Sequence, residues 1–178
     1  MVILLSSCGC CRNAFEGKIN LIMHSVLLIC TGNICRSPIA MGLLRKKVDG
    51  HPSDWVIESA GTWAMDGDPA AVNSQLVMEQ RGIDISFHRS QPVTGALLAG
   101  FRLVLTMERG HKEALQFEFP QHAGRIYTLS EMVGGNFDIH DPIGSPLVDF
   151  QETTEELAQL IDEGFERIHE LSMIDERE

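Results

Sequence analysis

The strongest constraint on the fold is the junction between a fully apolar run and a glycine-containing loop. Residues 26–29 (Val-Leu-Leu-Ile) contain no polar side chain, which is typical of a strand buried on both faces of a parallel sheet. A loop over residues 30–36 follows at once, and then Ser37 and Pro38. Serine often caps a helix, and proline is favoured at its first position. The junction therefore predicts a strand–loop–helix unit whose helix covers residues 38–48.

Short strand-like runs alternate with helical patterns along the rest of the chain. Runs rich in β-branched and aromatic residues predict strands, whereas stretches that begin at proline and end near glycine predict helices. Such alternation is typical of βαβ units around a parallel sheet. The predicted strands cover residues 55–58, 102–106 and 125–129, and the predicted helices cover residues 68–82 and 92–99.

The last part of the chain has the most regular helical pattern. Its apolar residues recur at the spacing of one helical face. Thr153, with Glu156 three positions later, also matches a capping box, in which two side chains satisfy the first backbone N–H groups of a helix. We therefore expect the final helix to begin at Thr153. The residues of its apolar face are Leu157, Leu160, Ile161, Phe165, Ile168 and Leu171.

The charge of the chain limits its possible partners. Of its 178 residues, 25 are acidic and 14 are basic, which gives a net charge of −11. Such a charge repels nucleic acids and anionic membranes at long range. No apolar run approaches the roughly 18 residues that suggest a membrane-spanning helix. We therefore expect a cytoplasmic protein without a nucleic-acid or membrane partner, in which any anionic ligand is captured by a local feature.

All five cysteines lie in the first fifth of the chain. An odd number in so short a segment argues against the disulfide framework of a secreted protein. Cys8, Cys10 and Cys11 lack the paired spacing of zinc sites, and no second ligand cluster follows them. We therefore expect no metal.

Residues 1–22 precede the first predicted strand and show no helical or strand period. Two interpretations are open. The segment is a disordered extension, or the start codon has been assigned upstream of a true start at Met23. In both cases the folded domain is predicted to cover residues 23–178.

The loop between the first strand and the first helix contains Cys30 and Arg36 with five residues between them. A short loop over a helix N-terminus directs several backbone N–H groups at one point and can hold a tetrahedral oxyanion. Gly32 permits backbone angles or a close approach that a larger residue would resist, and Asn33 tolerates left-handed geometry. The pattern predicts a phosphate-binding loop.

Cys30 is the candidate nucleophile of this loop. The helix dipole, the N–H groups and Arg36 favour its thiolate, which is the reactive form of cysteine. Arg36 can bind two phosphoryl oxygens in a bidentate geometry that lysine cannot copy. Ser37 is expected to cap the helix and to hydrogen-bond the sulfur, which helps the sulfur to leave when a cysteinyl phosphate is hydrolysed. A packing cysteine and a solvated arginine are the alternative, but the accompanying residues favour the chemical role.

These residues carry a resemblance to the low-molecular-weight protein tyrosine phosphatase family, which extends from about Met23 to Leu171. It implies an α/β fold with a four-stranded parallel sheet, helices on both faces and the phosphate-binding loop after the first strand. It also implies hydrolysis of phosphotyrosine in proteins through a phosphocysteine intermediate, without a metal or another cofactor. The matching segments are residues 26–38, 58–62, 82–84 and 88–90, with Asp141 and Pro142.

Hydrolysis of a phosphate ester also needs an acid that protonates the leaving oxygen. Asp141 is the candidate, because Pro142 biases it toward an extended conformation on a constrained turn. The resemblance implies that the aspartate of this Asp-Pro pair protonates the leaving group and then activates water. Asp138 is a weaker candidate for the same role.

The residues around the loop bear on the substrate. Ile34 is similar to the tyrosine-directed members of the family, whereas the related arginine phosphatases carry threonine there. Ile143 and Gly144, however, stand where many members have aromatic residues at the entrance. Trp63 can supply a stacking face at the rim or can simply pack a loop. The expected substrate-binding residues are Thr31, Gly32, Asn33, Ile34, Cys35, Ser37 and Trp63.

Other polar residues near these motifs have two possible interpretations. Cys35 is close enough in sequence to Cys30 to trap an oxidised sulfur as a reversible disulfide, or it is a small packing residue. The resemblance implies that Asn33 and Ser59 hydrogen-bond the loop. The histidines at positions 88, 111 and 140 show no metal-ligand spacing, and we expect them at the surface or behind the loop.

Three other functions compete with a tyrosine phosphatase. A protein arginine phosphatase of the same family is the main alternative. An arsenate reductase would need further cysteines late in the chain, and none occurs after Cys35. A non-catalytic phosphate-binding module would lack the nucleophile or the acid. The expected partners are phosphorylated proteins, and the expected state is a monomer or a weak homodimer.

Overall fold

Strands and helices alternate along residues 23–174, which are the part of the chain that this computed structural model describes. The predicted extension over residues 1–22 lies outside the described residues. The strands are Met23–Cys30 (β1), Trp55–Gly61 (β2), Leu103–Thr106 (β3), Ile126–Thr128 (β4) and Met173–Ile174 (β5). The α-helices are Arg36–Lys47 (α1), Val72–Glu79 (α2), Gly95–Ala99 (α3), Arg109–Glu118 (α4) and Leu147–Ser172 (α5). Short 3₁₀ helices cover Pro52–Asp54, Pro120–Arg125 and Leu129–Val133.

The sheet has the strand order β2-β1-β3-β4, and all of these pairs are parallel. Val26 of β1 aligns with Ile57 of β2 on one side and with Leu103 of β3 on the other. The predicted four-stranded parallel sheet is therefore confirmed. The short strand β5 adds an antiparallel pair at the start of β1, where Met23 lies opposite Ile174. Two residues are too few to show a strand period, so this pair was not predictable from the pattern.

The two faces of β1 feed two separate apolar cores. Val26, Leu28 and Cys30 point into the core that α1, α2 and α5 cover, whereas Leu27 and Ile29 point into the core beneath α3 and α4. The four aliphatic side chains are fully buried, and burial of each contributes about 1.5–3 kcal/mol to stability. Since both faces are covered, the strand has no solvent side. This explains its run of apolar residues and confirms helices on both faces.

The strand order also determines where a ligand can bind. The chain runs from β1 to β2 on one side of β1 and then crosses to β3 on the other side. In open parallel sheets the crevice outside the carboxyl ends of the strands, at such a reversal, is the usual ligand site. The loop after Cys30 begins at the carboxyl end of β1, and therefore lies at this crevice.

Helix α5 begins at Leu147, so the prediction that it begins at Thr153 is wrong. Thr153 is buried inside the helix, and Pro146 precedes the first turn, where a missing N–H costs nothing. A Thr-x-x-Glu spacing also occurs within helices, which is why the pattern misled. A capping box is present elsewhere, formed by Thr128 and Glu131 at a 3₁₀ helix.

Helix α2 is shorter than the predicted residues 68–82. Asp68 exchanges hydrogen bonds with Ser90, whose N–H donates to the Asp68 carbonyl at 2.8 Å and whose hydroxyl accepts from the Asp68 N–H at 2.9 Å. These bonds hold the start of the segment outside the helix. Gly82, with a φ of 69°, follows the helix as predicted. None of the helices between residues 23 and 174 has the length and apolarity that crossing a membrane requires.

Candidate active site

The loop after β1 surrounds the sulfur of Cys30 with hydrogen-bonding groups. The backbone N–H of Asn33 donates to Sγ at 3.2 Å, and Oγ of Ser37 lies 3.0 Å from the same sulfur. Cys30 is buried, and helix α1 begins at Arg36, only six residues later. The N-terminus of a helix carries a partial positive charge. The sulfur therefore lies in a setting that stabilises negative charge.

Asn33 holds the loop in its curled form. Its φ of 55° is the left-handed geometry that the sequence predicted. Its side-chain amide donates to Oγ of Ser37 and to Oγ of Ser59, each at 2.9 Å, and its Oδ1 accepts from the N–H of Gln91 at 2.9 Å. Nε2–H of His88 donates to its backbone carbonyl at 2.6 Å. Because every polar group of Asn33 except its donor to the sulfur is bonded to the scaffold, the loop is fixed before any ligand arrives.

The end of β2 lies directly against the loop. The N–H groups of Thr62 and Trp63 donate to the carbonyls of Cys30 and Thr31 at 3.0 and 2.9 Å. A Cβ on Gly61 would lie 2.4 Å from the carbonyl oxygen of Thr31, so a side chain at this position would push the strand away from the loop. Gly61 is therefore needed for the close approach of two backbones.

Ser37 is placed differently from the prediction. Helix α1 begins at Arg36, after Cys35, and no side chain caps it. Ser37 therefore lies within the first turn, and its predicted capping role is wrong. The helix begins two positions earlier than the Ser-Pro pattern indicates, and the buried hydroxyl of Ser37 hydrogen-bonds Cys30 and Asn33 of the loop instead. The expected contact of Ser37 with the sulfur of Cys30 is present.

The guanidinium of Arg36 lies between two carboxylates. Nη1 is 2.5 Å from Oε1 of Glu108 and donates to the carbonyl of Ile139 at 2.8 Å, whereas Nη2 is 2.6 Å from Oδ2 of Asp141. The arginine side chain is 1% exposed. Its Nε is also buried and has no hydrogen-bond partner among the described residues. A buried N–H without a partner is costly, and Nε is therefore a donor that an oxyanion could use.

Asp141 is held by a turn and by the ion pair. Its Oδ1 accepts from the N–H of Ile143 at 3.2 Å, while Oδ2 pairs with Arg36. Gly144 then has a φ of 79°, which completes the turn. Asp138 is turned elsewhere, because its Oδ1 accepts from the backbone N–H of Arg109 at 2.7 Å. Hydrogen bonds from Arg109 lower the pKa of Asp138, so the structure separates the two candidate acids and brings only Asp141 to Arg36.

The polar cluster is completed by Glu108, which the sequence analysis did not select, and by His111, which it expected at the surface or behind the loop. Glu108 pairs with Arg36, and His111 places Nε2 3.0 Å from Oγ1 of Thr31 and 3.8 Å from Oε1 of Glu108. Burial is the main cause that lowers the pKa of His111, and the positive charge of Arg36 adds to it. Glu108 follows β3, next to β1 in the sheet. The sequence did contain a signal for Glu108: it follows the strand predicted over residues 102–106, and the residues after parallel strands share one edge of the sheet.

The histidines lie where they were expected, at the surface or behind the loop. His88 and His111 are buried, while His140 is exposed. Burial is also the main cause that lowers the pKa of His88. Both buried rings contact the loop after β1, and their neighbours lie 55 and 80 residues away along the chain. Such separations leave no local pattern in the sequence.

The rim of the site has exposed apolar side chains. Trp63, tied to the loop through its backbone, is 85% exposed, and Met65 and Ile143 are also exposed. The Trp63 indole is therefore mostly open to solvent. Ile34 is half-buried and packs against the core beneath α1. The structure thus places an apolar residue in the loop itself and a free indole beside it.

Cys35 and Cys30 are both free thiols in this structure. Cys35 is 3% exposed and belongs to the apolar core that α1 covers. Burial raises the pKa of Cys35 to about 12, with further contributions from the negative charges of Asp141 and Cys30. The geometry therefore favours packing over the alternative of a disulfide.

Sequence comparisons agree with this geometry. The model of the family described as low molecular weight phosphotyrosine protein phosphatase matches residues 25–172. A relative from Ralstonia nicotianae, the probable low molecular weight protein-tyrosine-phosphatase EpsP, is 38% identical over 150 residues, which are 84% of this chain and 99% of the relative. The chain belongs to the low molecular weight phosphotyrosine protein phosphatase family.

The relatives of this chain include proteins that are named for two different substrates. A protein-arginine-phosphatase from Geobacillus stearothermophilus is 35% identical over 147 residues, 82% of this chain and 96% of the relative. The crystal structure of a low molecular weight protein tyrosine phosphatase from T. tengcongensis is 41% identical, has a TM-score of 0.77 and covers 81% of this chain and 99% of its own. The predicted family, the predicted fold and the enzyme class of protein-tyrosine-phosphatase are confirmed.

Proposed function

We propose that this phosphatase hydrolyses phosphotyrosine in proteins, with Cys30 as the nucleophile, Arg36 as the phosphate-binding group and Asp141 as the general acid. One observation carries the proposal: the buried guanidinium of Arg36 joins the Cys30 loop to the carboxylate of Asp141 at 2.6 Å, although 105 residues separate the two side chains in sequence. A nucleophile, an anion-binding group and an acid thus meet at one end of the sheet.

The reaction divides into two displacements at phosphorus. The Cys30 thiolate attacks, an S–P bond forms, and the P–O bond to tyrosine breaks as the Asp141 carboxylic acid gives its proton to the phenolic oxygen. Water then attacks the phosphocysteine, the Asp141 carboxylate takes a proton from that water, and the S–P bond breaks. The Ser37 hydroxyl, 3.0 Å from Sγ, stabilises the departing thiolate, and inorganic phosphate leaves.

The charges around Arg36 link substrate binding to the acid. One guanidinium faces the two carboxylates of Glu108 and Asp141, and a phosphoryl dianion brings two further negative charges. The substrate therefore competes with Asp141 for Nη2 of Arg36. Protonation of Asp141 removes this competition and at the same time supplies the proton that the leaving group needs. The substrate dianion thus binds best to the form of the enzyme that is ready to react.

The loop side chains favour an aryl phosphate. The half-buried side chain of Ile34 has only carbon atoms, and Trp63 has an exposed indole. A phenyl ring gains from such contacts, whereas the N–H groups of phosphoarginine need acceptors that isoleucine lacks. Protein arginine phosphatase is the second candidate, since a relative of that name is 35% identical and Ile143 replaces an aromatic residue at the entrance.

We further propose a cytoplasmic location, phosphorylated proteins as partners and a monomer or weak homodimer, with the phosphatase domain over residues 23–178. The net charge of −11 supports the absence of nucleic acid among the partners, because it repels phosphate backbones at long range.

The test compares hydrolysis of p-nitrophenyl phosphate, a phosphotyrosine peptide and a phosphoarginine peptide by the wild type and by Cys30→Ser. We expect the wild type to show its highest kcat/KM on the phosphotyrosine peptide and Cys30→Ser to lose about 10⁴-fold or more. His51→Gln, at an exposed position beside a 3₁₀ helix, is the matched control and keeps wild-type rates. Equal turnover by Cys30→Ser would sink the mechanism, and a higher kcat/KM on phosphoarginine would move the assignment to the second candidate.

A further inference from the structure

His111 contacts both groups that flank the guanidinium of Arg36. Its Nε2 lies 3.0 Å from Oγ1 of Thr31 and 3.8 Å from Oε1 of Glu108. Oγ1 of Thr31 is in turn 3.5 Å from Nη2 of Arg36, and the same Glu108 oxygen is 2.5 Å from Nη1. One imidazole nitrogen therefore lies next to both Thr31 and Glu108, which are the neighbours of Nη2 and Nη1 of Arg36.

The His111 ring is buried although one of its two nitrogens has no partner among the described residues. His111 lies in the first turn of α4 and is 8% exposed. Its Nδ1 is buried and has no hydrogen-bond partner among residues 23–174. A nonpolar residue at this position would avoid the cost of an unpaired buried nitrogen, so the histidine must contribute through Nε2.

The contacts determine which nitrogen carries the proton. Burial and the charge of Arg36 lower the pKa of His111, so the ring is neutral at neutral pH and holds one proton. If Nε2 carries this proton, the proton faces Oγ1 of Thr31 and the carboxylate of Glu108. Nδ1 then has only a lone pair. Buried N–H groups are left unpaired more rarely than buried acceptors, and a carboxylate can only accept. The Nε2–H tautomer follows from this network.

This tautomer has a consequence for Thr31. Its hydroxyl oxygen accepts from His111 and faces Nη2 of Arg36, so its own proton is turned away from both groups and is free to be donated. Thr31 belongs to the loop that surrounds the Cys30 sulfur, where a bound oxyanion would be an acceptor for this proton. Among the described residues, the polar contacts of His111 are with Thr31 and Glu108 and not with the Cys30 sulfur. Its effect on the reaction therefore passes through those two residues.

We propose that His111 is a positioning residue for the phosphatase reaction: it sets the orientation of the Arg36 guanidinium through Glu108 and directs the hydroxyl proton of Thr31 toward the phosphoryl group. This inference rests on the proposed function of the loop. Asp141 and Asp138 also face the ring electrostatically, but neither makes a hydrogen bond to it, and Asp138 is held by Arg109.

The experiment uses the full chain with His111→Leu and His111→Gln. Leucine fills the space without a donor, whereas the glutamine side-chain amide can present an N–H near the place of Nε2. We expect His111→Leu to weaken inorganic phosphate binding about tenfold and to lower kcat on the phosphotyrosine peptide about tenfold. The phosphoryl group is then bound less tightly in the ground state and loses still more stabilisation in the transition state. His111→Gln should stay within about threefold of the wild type. Thermal unfolding of each variant reports its folded fraction.

A double-mutant cycle with Thr31→Val tests the route. If His111 acts through Thr31, the double variant Thr31→Val/His111→Leu loses little more activity than His111→Leu alone. A merely structural histidine would give additive losses, a lower melting temperature and no rescue by glutamine. Any of three results overturns the inference: phosphate affinity and kcat of His111→Leu within twofold of the wild type, equal losses for leucine and glutamine, or additive losses in the cycle.

Calorimetric titration of phosphate into Cys30→Ser proteins, with and without His111→Leu, separates this inference from the proposed function. The titration needs no turnover. A tenfold difference between the two proteins supports the role of His111 even if the Cys30 mechanism fails. No difference, together with an inactive Cys30→Ser, rejects His111 and leaves the mechanism standing.

Discussion

The two ends of strand β1 bury polar side chains for opposite purposes. At the carboxyl end, Cys30, Asn33 and Arg36 are buried in a hydrogen-bond network in which the Asn33 N–H and Oγ of Ser37 both meet the Cys30 sulfur. At the amino end, His24 is buried in a stack of rings. It lies parallel to Trp55 with ring centroids 4.2 Å apart and against His169 with centroids 4.3 Å apart.

The stack at the amino end joins three elements. His24 and Trp55 are register partners in β1 and β2, while Phe165 and His169 come from α5. Nδ1 of His24 lies 3.0 Å from Oγ of Ser172, and the polar edge of the ring is thereby satisfied. The side chains of this cluster therefore contact mainly each other.

The comparison shows that burial of a polar group is no sign of function by itself. The two ends differ in the target of their hydrogen bonds. At the carboxyl end, the Asn33 N–H and Oγ of Ser37 meet the Cys30 sulfur, whereas at the amino end His24 bonds Ser172 beside the ring stack. Substitutions at the carboxyl end should therefore change chemistry more than stability, and those at the amino end should change stability more than chemistry.

The largest expected effect is that of Arg36→Lys. An ammonium cannot bind two phosphoryl oxygens and keep Glu108 at the same time, so kcat/KM for p-nitrophenyl phosphate should fall about 10³-fold, or about 4 kcal/mol in transition-state stabilisation. Steady-state kinetics on protein shown to be folded by circular dichroism is the measurement. A fall in kcat/KM of less than about tenfold would mean that Arg36 does not bind the phosphoryl group in a bidentate geometry.

The next effect in size is that of Asp141→Ala. Loss of a general acid typically costs about 10²–10⁴-fold, and the loss of kcat should be larger for phosphotyrosine than for p-nitrophenyl phosphate, whose leaving group needs less protonation. Asp138→Ala, which removes a carboxylate engaged with Arg109, is the matched control and should cost far less. A larger loss for Asp138→Ala would reverse the assignment of the acid.

Trp55→Ala tests the other end of the strand. Removal of a large aromatic side chain from a packed cluster typically costs about 3–5 kcal/mol, and about 2–3 kcal/mol is expected here because Trp55 is only half-buried. Urea unfolding measures the loss. The kcat of the folded protein should stay within twofold, and a large fall in kcat would show that the two ends are coupled.

A smaller effect is expected from acidification. Burial, followed by the charge of His169, lowers the pKa of His24 below its usual 6.5. The unfolded chain therefore binds this proton more readily, so the stability that neutral His24 provides is present above about pH 6.5 and is lost as the pH falls below it. His24→Phe keeps the ring stack and should flatten this part of the profile in urea unfolding between pH 7.5 and 5.5. His88 and His111, whose pKa values are also lowered, leave a residual slope, and an unchanged slope in His24→Phe would contradict the assignment.

The smallest effect separates the two cysteines within one loop. At pH 8, iodoacetamide should label Cys30 and leave Cys35 unmodified, because the pKa of Cys35 is about 12 whereas Cys30 is the proposed nucleophile. Burial does not separate the two thiols, since both are at most 3% exposed. Peptide mass spectrometry locates the label, and Cys30→Ser supplies the control. Labelling of Cys35 at the rate of Cys30 would show that the loop opens far more than its hydrogen bonds suggest.

Local features of the loop were predictable because they act over a few residues. The buried run of β1, the left-handed Asn33 and the contact of Ser37 with the Cys30 sulfur all lie within 12 residues of sequence. Steric limits on the backbone and the short reach of a turn restrict such a segment to few conformations. Local patterns also misled where they fit two states, as in Thr153, whose capping pattern lies inside a helix.

The amino-acid sequence by itself determined the order of strands and helices, the phosphate-binding loop and the pair Cys30 and Arg36. Only the tertiary structure decided that Glu108 and His111 support that loop, since 72 residues separate Glu108 from Arg36 and 80 separate His111 from Thr31. The physical reason is that a parallel sheet collects the residues after its strands at one edge, wherever they lie along the chain. Their contacts depend on strand order and register, which are properties of the packed sheet rather than of any local segment.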